Sequence, residues 1–229
     1  MLNRREFLAI TGAGGAALLF GIPNPLHAST EKEEKTMPYA AKDYSKLVGM
    51  EGFSETLIKN HFTLYQGYVT NTNKVLDTLG QMLKDGKTAT PEFAELKRRL
   101  GWEFNGMRLH EYYFENLGGE KGGINKAGGL AKKMADEFGS CELWEEDFRA
   151  VGSMRGIGWA VLYQDSTNKR LINFWINEHD VSHPAGCNPL LIMDVFEHAF
   201  MIDYGLKKTD YIEAFFKNID WAATEARLK

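Results

Sequence analysis

The stretch 194–200 reads Asp-Val-Phe-Glu-His-Ala-Phe and follows a short apolar run that is typical of a strand. From Glu197 onward the apolar residues recur at helical spacing. Asp194 and His198 are four residues apart, so a carboxylate and an imidazole can converge on one metal ion at this junction. The pair alone is weak evidence, because solvated surface pairs with this spacing are more common than metal sites. Other segments of the chain must therefore show whether Asp194 and His198 form a metal site or a solvated surface pair.

The segment before this stretch has the composition of a small antiparallel sheet. Residues 158–163 (Gly-Trp-Ala-Val-Leu-Tyr) and 170–176 (Arg-Leu-Ile-Asn-Phe-Trp-Ile) are rich in β-branched and aromatic residues, and a polar segment separates them. They predict a hairpin, and residues 190–194 predict a third short strand. Helical patterns follow from Glu197 and again from Thr209 to about Arg227. We therefore expect a small antiparallel sheet flanked by helices.

The first half of the chain predicts a pair of long helices. One helix is expected from Ser54, a favourable N-cap, to about Leu83, with apolar residues at three- and four-residue steps. A second is expected from Thr90, where a cap residue precedes a proline at the first helical position, toward Leu117. These two segments predict a helical hairpin.

The domain organisation follows from these patterns. Glycines cluster after the second helix, and we place a boundary near residues 118–123. The predicted fold class is α+β, with an N-terminal helical domain over residues 37–120 and a C-terminal α/β domain over residues 121–229. Residues 1–28 are predicted to be an export signal, and the polar residues 29–36 a linker.

Several segments together resemble one family, the iron/manganese superoxide dismutases. Residues 194–200 resemble its Asp-Val-Trp-Glu-His-Ala-Tyr signature, with Phe196 in place of tryptophan and Phe200 in place of tyrosine. Four other segments resemble, in the right order, the family's opening, second-ligand helix, Gly-x-Gly-Trp strand and closing helix: Met-Pro-Tyr-Ala at 37–40, Phe-Asn-Gly-Met-Arg-Leu-His-Glu-Tyr-Tyr-Phe at 104–114, Gly-Ile-Gly-Trp at 156–159 and Asp-Tyr-Ile-Glu-Ala-Phe-Phe-Lys-Asn-Ile-Asp-Trp at 210–221. The resemblance covers residues 37 to 221.

The resemblance implies four metal ligands, of which three match directly: His110, Asp194 and His198. In the family, a fourth histidine precedes an active-site tyrosine by eight positions, but here Asn60 stands eight residues before Tyr68 and His61 seven before it. Asparagine is a poor substitute for an imidazole ligand. Seven residues span almost two helical turns, so His61 and Tyr68 would share a face. We therefore predict that His61 is the ligand and that a local helical irregularity, which relatives have in this helix, is tightened here. The alternative is that His61 is a packed or capping histidine and that the first ligand is missing.

The same resemblance implies roles for four residues around the ligands. Tyr68 matches the tyrosine that borders the substrate funnel, and His179 falls where many relatives carry a glutamine that bonds the metal-bound solvent and where some carry histidine. Trp159 matches a wall of the metal pocket, and Glu197 matches a residue that reaches the ligand histidine of a partner chain. The alternatives are a core aromatic for Tyr68 and a surface histidine for His179. Phe200 lacks a hydroxyl that helps to link the dimer contacts in relatives.

The function implied by the resemblance is the conversion of two superoxide radicals to dioxygen and hydrogen peroxide, with one iron or manganese ion per chain. The expected assembly is a homodimer or a dimer of dimers. The alternative is a non-catalytic periplasmic protein that binds iron or manganese, since the same ligands would serve. A di-iron helical protein is excluded, because it needs paired Glu-x-x-His motifs and the chain contains none.

The amino-terminal segment predicts export. Arg4-Arg5, the apolar run from Ala9 to Ile22 and Ala28 before a serine resemble a twin-arginine signal, which carries folded proteins to the periplasm. The run is too short and too rich in glycine to span a bilayer comfortably, so we expect no stable membrane insertion after cleavage. An uncleaved anchor or a buried helix is the alternative.

Net charge and cysteine content bear on the expected partners and on disulfide formation. The formal net charge is −4 and no basic stripe is present, so nucleic acid is not an expected partner. Cys141 and Cys187 match no zinc motif, and we expect two unpaired thiols, although a disulfide could form after export.

Overall fold

Two long antiparallel helices form the first half of the structure, a computed structural model that describes residues 38–119 and 122–229. Helix α1 runs over Glu55–Lys84 and helix α2 over Pro91–Glu115. Both begin at the predicted caps: Ser54 Oγ accepts a hydrogen bond from the Leu57 N–H, and Thr90 Oγ1 accepts one from the Phe93 N–H. The predicted helical hairpin is confirmed.

A three-stranded sheet follows two shorter helices, α3 over Gly129–Phe138 and α4 over Cys141–Ser153. The strands are β1 (Gly158–Asp165), β2 (Leu171–Asn177) and β3 (Cys187–Asp194). Their order is β2-β1-β3, and both pairings are antiparallel. The α+β fold class is therefore confirmed. Strand β3 begins earlier than the predicted residue 190 and includes Pro189, which an edge strand tolerates because its missing N–H removes few ladder bonds.

The carboxyl-terminal segment is divided into more and shorter helices than its sequence pattern predicts. A 3₁₀ turn over Glu197–Ala199 leads into the short helix α5 (Met201–Tyr204), and helices α6 (Lys208–Lys217) and α7 (Trp221–Ala226) follow. One helix was expected from Thr209 to about Arg227, which is wrong. The chain breaks because Asn218 turns its side-chain amide back to the Ala214 carbonyl and because Asp220 caps α7 through the Ala223 N–H.

The two halves share one hydrophobic core, and residues 38–229 pack as a single unit. Asn116, at the end of α2, bonds both backbone groups of Ile192 in β3, at 2.9 and 3.2 Å. This clamp holds the helical hairpin against the sheet beside Asp194. The predicted boundary near 118–123 lies where the hairpin ends, and it stays a prediction, as do the predicted domains 37–120 and 121–229.

Two smaller observations complete the fold. Cys141 and Cys187 are free thiols in this structure. Among the described helices, none combines the length and the apolar character needed to cross a bilayer. The predicted signal at 1–28 and the linker at 29–36 lie outside the described residues.

Candidate metal centre

The four predicted ligands meet at one point of the core. One side-chain ligand atom from each of His61, His110, Asp194 and His198 lies within 4.8 Å of the others. The first three side chains are fully buried, and the His198 side chain is 24% exposed. Residues that are separated by more than a hundred positions in the chain are thus neighbours in space.

Helices α1 and α2 supply the two fully buried imidazoles. The rings of His61 and His110 have centroids 5.0 Å apart, and His61 also contacts the ring of Tyr113 at 5.2 Å. Asn60 is exposed, whereas His61 is buried and shares its face of α1 with Tyr68. Because α1 is α-helical throughout, the seven-residue spacing is sufficient to align these two side chains.

The end of β3 supplies the carboxylate. Asp194 Oδ1 accepts a hydrogen bond from the Phe196 N–H at 2.8 Å, and the Asp194 carbonyl accepts one from the Tyr211 hydroxyl at 2.5 Å. The second carboxylate oxygen, Oδ2, points at the imidazoles: it lies 3.1 Å from His61 Nε2, 3.2 Å from His198 Nε2 and 3.6 Å from His110 Nε2. Asp194 Oδ1 therefore fixes the orientation of the carboxylate, and Asp194 Oδ2 faces the three imidazoles.

Protonation states in the cluster favour a cation. Burial lowers the pKa of His61 and lowers that of His110 well below its ordinary value, so both imidazoles are neutral. Burial alone would raise the pKa of Asp194, but the neighbouring His198 and His61 override it and hold that pKa well below its ordinary value. The cluster therefore offers one carboxylate and the uncharged imidazoles of His61 and His110, with the His198 imidazole beside them.

An unsatisfied nitrogen, His110 Nε2, shows that the cluster fits a metal ion. His110 Nδ1 lies 2.5 Å from the Gly106 carbonyl and donates its hydrogen there, which leaves the Nε2 lone pair directed into the cluster. His110 Nε2 is buried without a hydrogen-bond partner among the described residues. A buried lone pair without a donor costs free energy unless a ligand satisfies it. This nitrogen and oxygen set suits a redox metal such as iron or manganese.

A hydrogen-bonded chain of side chains lies beside His110. His179 Nδ1 accepts a hydrogen bond from the Trp159 indole N–H at 3.1 Å, and His179 Nε2 lies 2.7 Å from the Tyr68 hydroxyl oxygen. Burial lowers the pKa of His179 to about 4, so the ring is neutral, and its one hydrogen sits on Nε2 and is donated to Tyr68. Tyr68 in turn lies over the ring of His110, with centroids 5.2 Å apart. Burial raises the pKa of Tyr68 to about 12.

Of the four residues predicted to surround the ligands, three contact one another beside the cluster, and the fourth, Glu197, lies at the surface. Tyr68, His179 and Trp159 form one connected group against the cluster. Glu197 is exposed at the surface, beside the partly exposed His198. The catalytic and interface roles of these residues remain predictions.

Sequence reasoning missed several supports of the site. His183 donates from Nε2 to the His179 carbonyl at 2.8 Å, and Phe196 stacks on the His179 ring at 4.7 Å. The ring of Trp102 also contacts the His179 ring, edge to face, with centroids 4.8 Å apart. The four-residue spacing of His179 and His183 was a visible signal, but nothing in the sequence placed Trp102 near either of them.

Comparison with known proteins agrees with this geometry. Residues 126–227 match the family model described as iron/manganese superoxide dismutases, C-terminal domain. A relative named superoxide dismutase [Mn] 2 from Haloferax volcanii is 35% identical over 173 residues, which cover 76% of this chain and 85% of the relative. The chain belongs to the iron/manganese superoxide dismutase family.

Relatives named for iron match over similar lengths. Superoxide dismutase [Fe] of Aquifex pyrophilus is 35% identical over 194 residues, covering 82% of this chain and 90% of the relative. Superoxide dismutase [Fe] of Cupriavidus metallidurans is 37% identical over 184 residues, covering 78% and 89% respectively. Membership in this superoxide dismutase family thus agrees with the buried His/Asp cluster and with iron or manganese as the cofactor.

Proposed function

We propose that this superoxide dismutase holds one iron or manganese ion per chain through His61, His110, Asp194 and His198. The observation that carries the proposal is the buried Asp194 Oδ2, which faces three imidazole nitrogens within 3.6 Å. An iron or manganese ion in that position supplies the one-electron redox couple that the conversion of superoxide to dioxygen and hydrogen peroxide requires. Asn60 stands at the position where the family has its first ligand histidine, and the adjacent His61 supplies the imidazole in its place.

The protein's contribution to the chemistry is to hold charge and protons in place. Asp194 supplies one fixed negative charge, and the bond from His110 Nδ1 to the Gly106 carbonyl fixes the orientation of that ring. His179 Nε2–H holds the Tyr68 oxygen at 2.7 Å, which leaves the phenolic hydrogen of Tyr68 free to serve another acceptor. We assign Tyr68 as a proton donor and His179 as the group that orients it, with Trp159 fixing the tautomer of His179.

Assembly into a homodimer or a dimer of dimers is the second part of the proposal. Glu197 is exposed next to His198, and Met201 and Ile202 are 40% and 51% exposed close by in sequence. A carboxylate beside exposed apolar side chains suits an interface across a two-fold axis. The molar mass in solution tests the assembly. Glu197→Ala should weaken it, whereas a monomeric wild-type protein would contradict it.

Export to the periplasm is the third part. Its support is the paired Arg4-Arg5 ahead of an apolar run in residues 1–28. Replacing both arginines by lysine should leave the protein in the cytoplasm with its precursor length. Normal processing of that double variant would refute a twin-arginine route.

Elemental analysis with a superoxide-decay assay tests the central proposal. Wild-type protein loaded separately with iron and manganese should hold about one ion per chain and should be active with at least one of them. Asp194→Asn keeps the acceptor for the Phe196 N–H but removes the charge, so it should lose both metal and activity. The exposed Asp210→Asn is the matched control. Full metal content without activity in the wild type would instead favour the non-catalytic metal-binding function.

A further inference from the structure

An anionic substrate approaches a protein whose formal net charge is −4, and its approach depends on the charges close to the site and not on the net charge. A cation lies beside the hydrogen-bonded pair Tyr68 and His179. The Arg99 guanidinium carbon lies 5.6 Å from the centroid of the Trp102 ring, and that ring contacts the His179 ring at 4.8 Å. One tryptophan therefore separates Arg99 from the residue that orients Tyr68.

The partner of Arg99 holds it in a fixed direction. Glu103 Oε1 accepts a hydrogen bond from Arg99 Nε at 2.7 Å, and Arg99 Nη2 lies 2.6 Å from the same oxygen in an ion pair. The Arg99 side chain is 55% exposed, whereas that of Glu103 is only 3% exposed. The positive end of the pair faces solvent and the negative end is buried beneath it, so an approaching anion meets the cation first.

The packing of the hairpin places this pair next to Tyr68. The Tyr68 ring lies against Gly106, where an added Cβ would be 2.5 Å away, and Glu103 lies one turn before Gly106 on the same helix. Arg99, Glu103 and a second cation, Lys74, line a cavity of about 280 Å³ between α1 and α2. Two cations thus border this cavity, and Glu103 links it to the turn of α2 that packs on Tyr68.

We propose that Arg99 is a steering residue, which attracts superoxide to the Tyr68 side of the metal centre, and that Glu103 is the residue that positions it. The inference rests on the proposed dismutase function and adds a residue that acts on substrate approach. Because steering depends on an unscreened charge, the contribution of Arg99 should be large at low ionic strength and small when salt shortens the Debye length from about 30 Å to about 8 Å.

The test measures kcat/KM for superoxide at low and at physiological ionic strength in metal-loaded variants of Arg99 and of its neighbour Arg98. Arg99→Ala should lower kcat/KM about three- to tenfold at low ionic strength, with kcat unchanged and with a much smaller loss in added salt. Arg99→Lys should recover most of the rate, because it keeps the charge. Should Arg99→Ala lose metal, Arg99→Gln keeps a long side chain over Trp102 and gives the same comparison.

Arg98→Ala is the matched control, since it removes the same charge from the neighbouring position, where the side chain is 70% exposed and paired with Glu95. It should leave kcat/KM unchanged. Equal losses in the Arg98 and Arg99 variants, or no salt-dependent loss in Arg99→Ala, would overturn the inference while the wild type remains active. An inactive wild type would instead refute the proposed function.

Discussion

The metal centre is built from two regions that reach the same point by different means. His61 and His110 project from two long, regular helices, and their positions follow from helical period and from how α1 packs on α2. Asp194 and His198 lie at a strand end and in a 3₁₀ turn, where no regular period applies. The carbonyl of Asp194 is held by Tyr211, and the next N–H, that of Val195, bonds the Gly158 carbonyl at 2.9 Å. One half of the site therefore rests on two regular helices, and the other rests on irregular backbone that distant elements hold in place.

The largest expected effect tests the helical half. His61→Ala should empty the site of metal and lower activity by more than the roughly 10–100-fold that is usual for groups outside the ligand set, because a ligand is lost outright. Elemental analysis of purified protein and a superoxide-decay assay measure both quantities.

Asn60→Ala is the control for this substitution. Asn60 is the residue that a count of eight positions before Tyr68 selects, and it is exposed. Metal and activity should both be retained in that variant. Full metal occupancy in His61→Ala, or loss of metal in Asn60→Ala, would contradict the assignment of His61 as the ligand.

A smaller effect is expected from the irregular half. Tyr211→Phe removes the hydroxyl that bonds the Asp194 carbonyl and leaves that buried oxygen without its donor. The free energy of unfolding should fall by about 1–3 kcal/mol, and metal affinity should fall by roughly tenfold. Urea denaturation and competition with a chelator measure the two changes.

Tyr204→Phe is a comparable substitution outside the site. Its hydroxyl also bonds a backbone carbonyl, that of Gly52, but at an exposed position. It should alter metal affinity little. If both variants bound metal as tightly as the wild type, support of the Asp194 backbone would not matter to the centre.

The smallest effect should come from Tyr68→Phe, which keeps the ring against Gly106 and removes only the hydroxyl. Metal should stay bound, because no ligand changes, while turnover should fall by about tenfold as the proton donor is lost. Steady-state turnover on fully metal-loaded protein measures the loss. Unchanged turnover at full occupancy would remove Tyr68 from the mechanism and leave it as a packing residue.

Prediction from sequence succeeded where local rules apply. The caps at Ser54 and Thr90 and the β-rich runs around residues 158–176 placed both long helices and the hairpin correctly. It failed after Thr209, because the break depends on the Asn218 side chain, which also bonds the Glu51 carbonyl, more than 160 residues away in the chain. Such a bond exists only after the chain has folded.

The amino-acid sequence by itself determined which residue types can bind metal and that His61 and Tyr68 share a helix face, because residue type and helical period are local properties. It did not determine that Asp194 Oδ2 would face imidazoles on two other helices, or that Arg99 would turn outward over a buried Glu103. Those arrangements arise from the pairing of β1 with β3 and from the packing of α2 against the sheet. Only the tertiary structure brings groups from separate elements to within a few ångströms, and the electrostatics of the site depend on those distances.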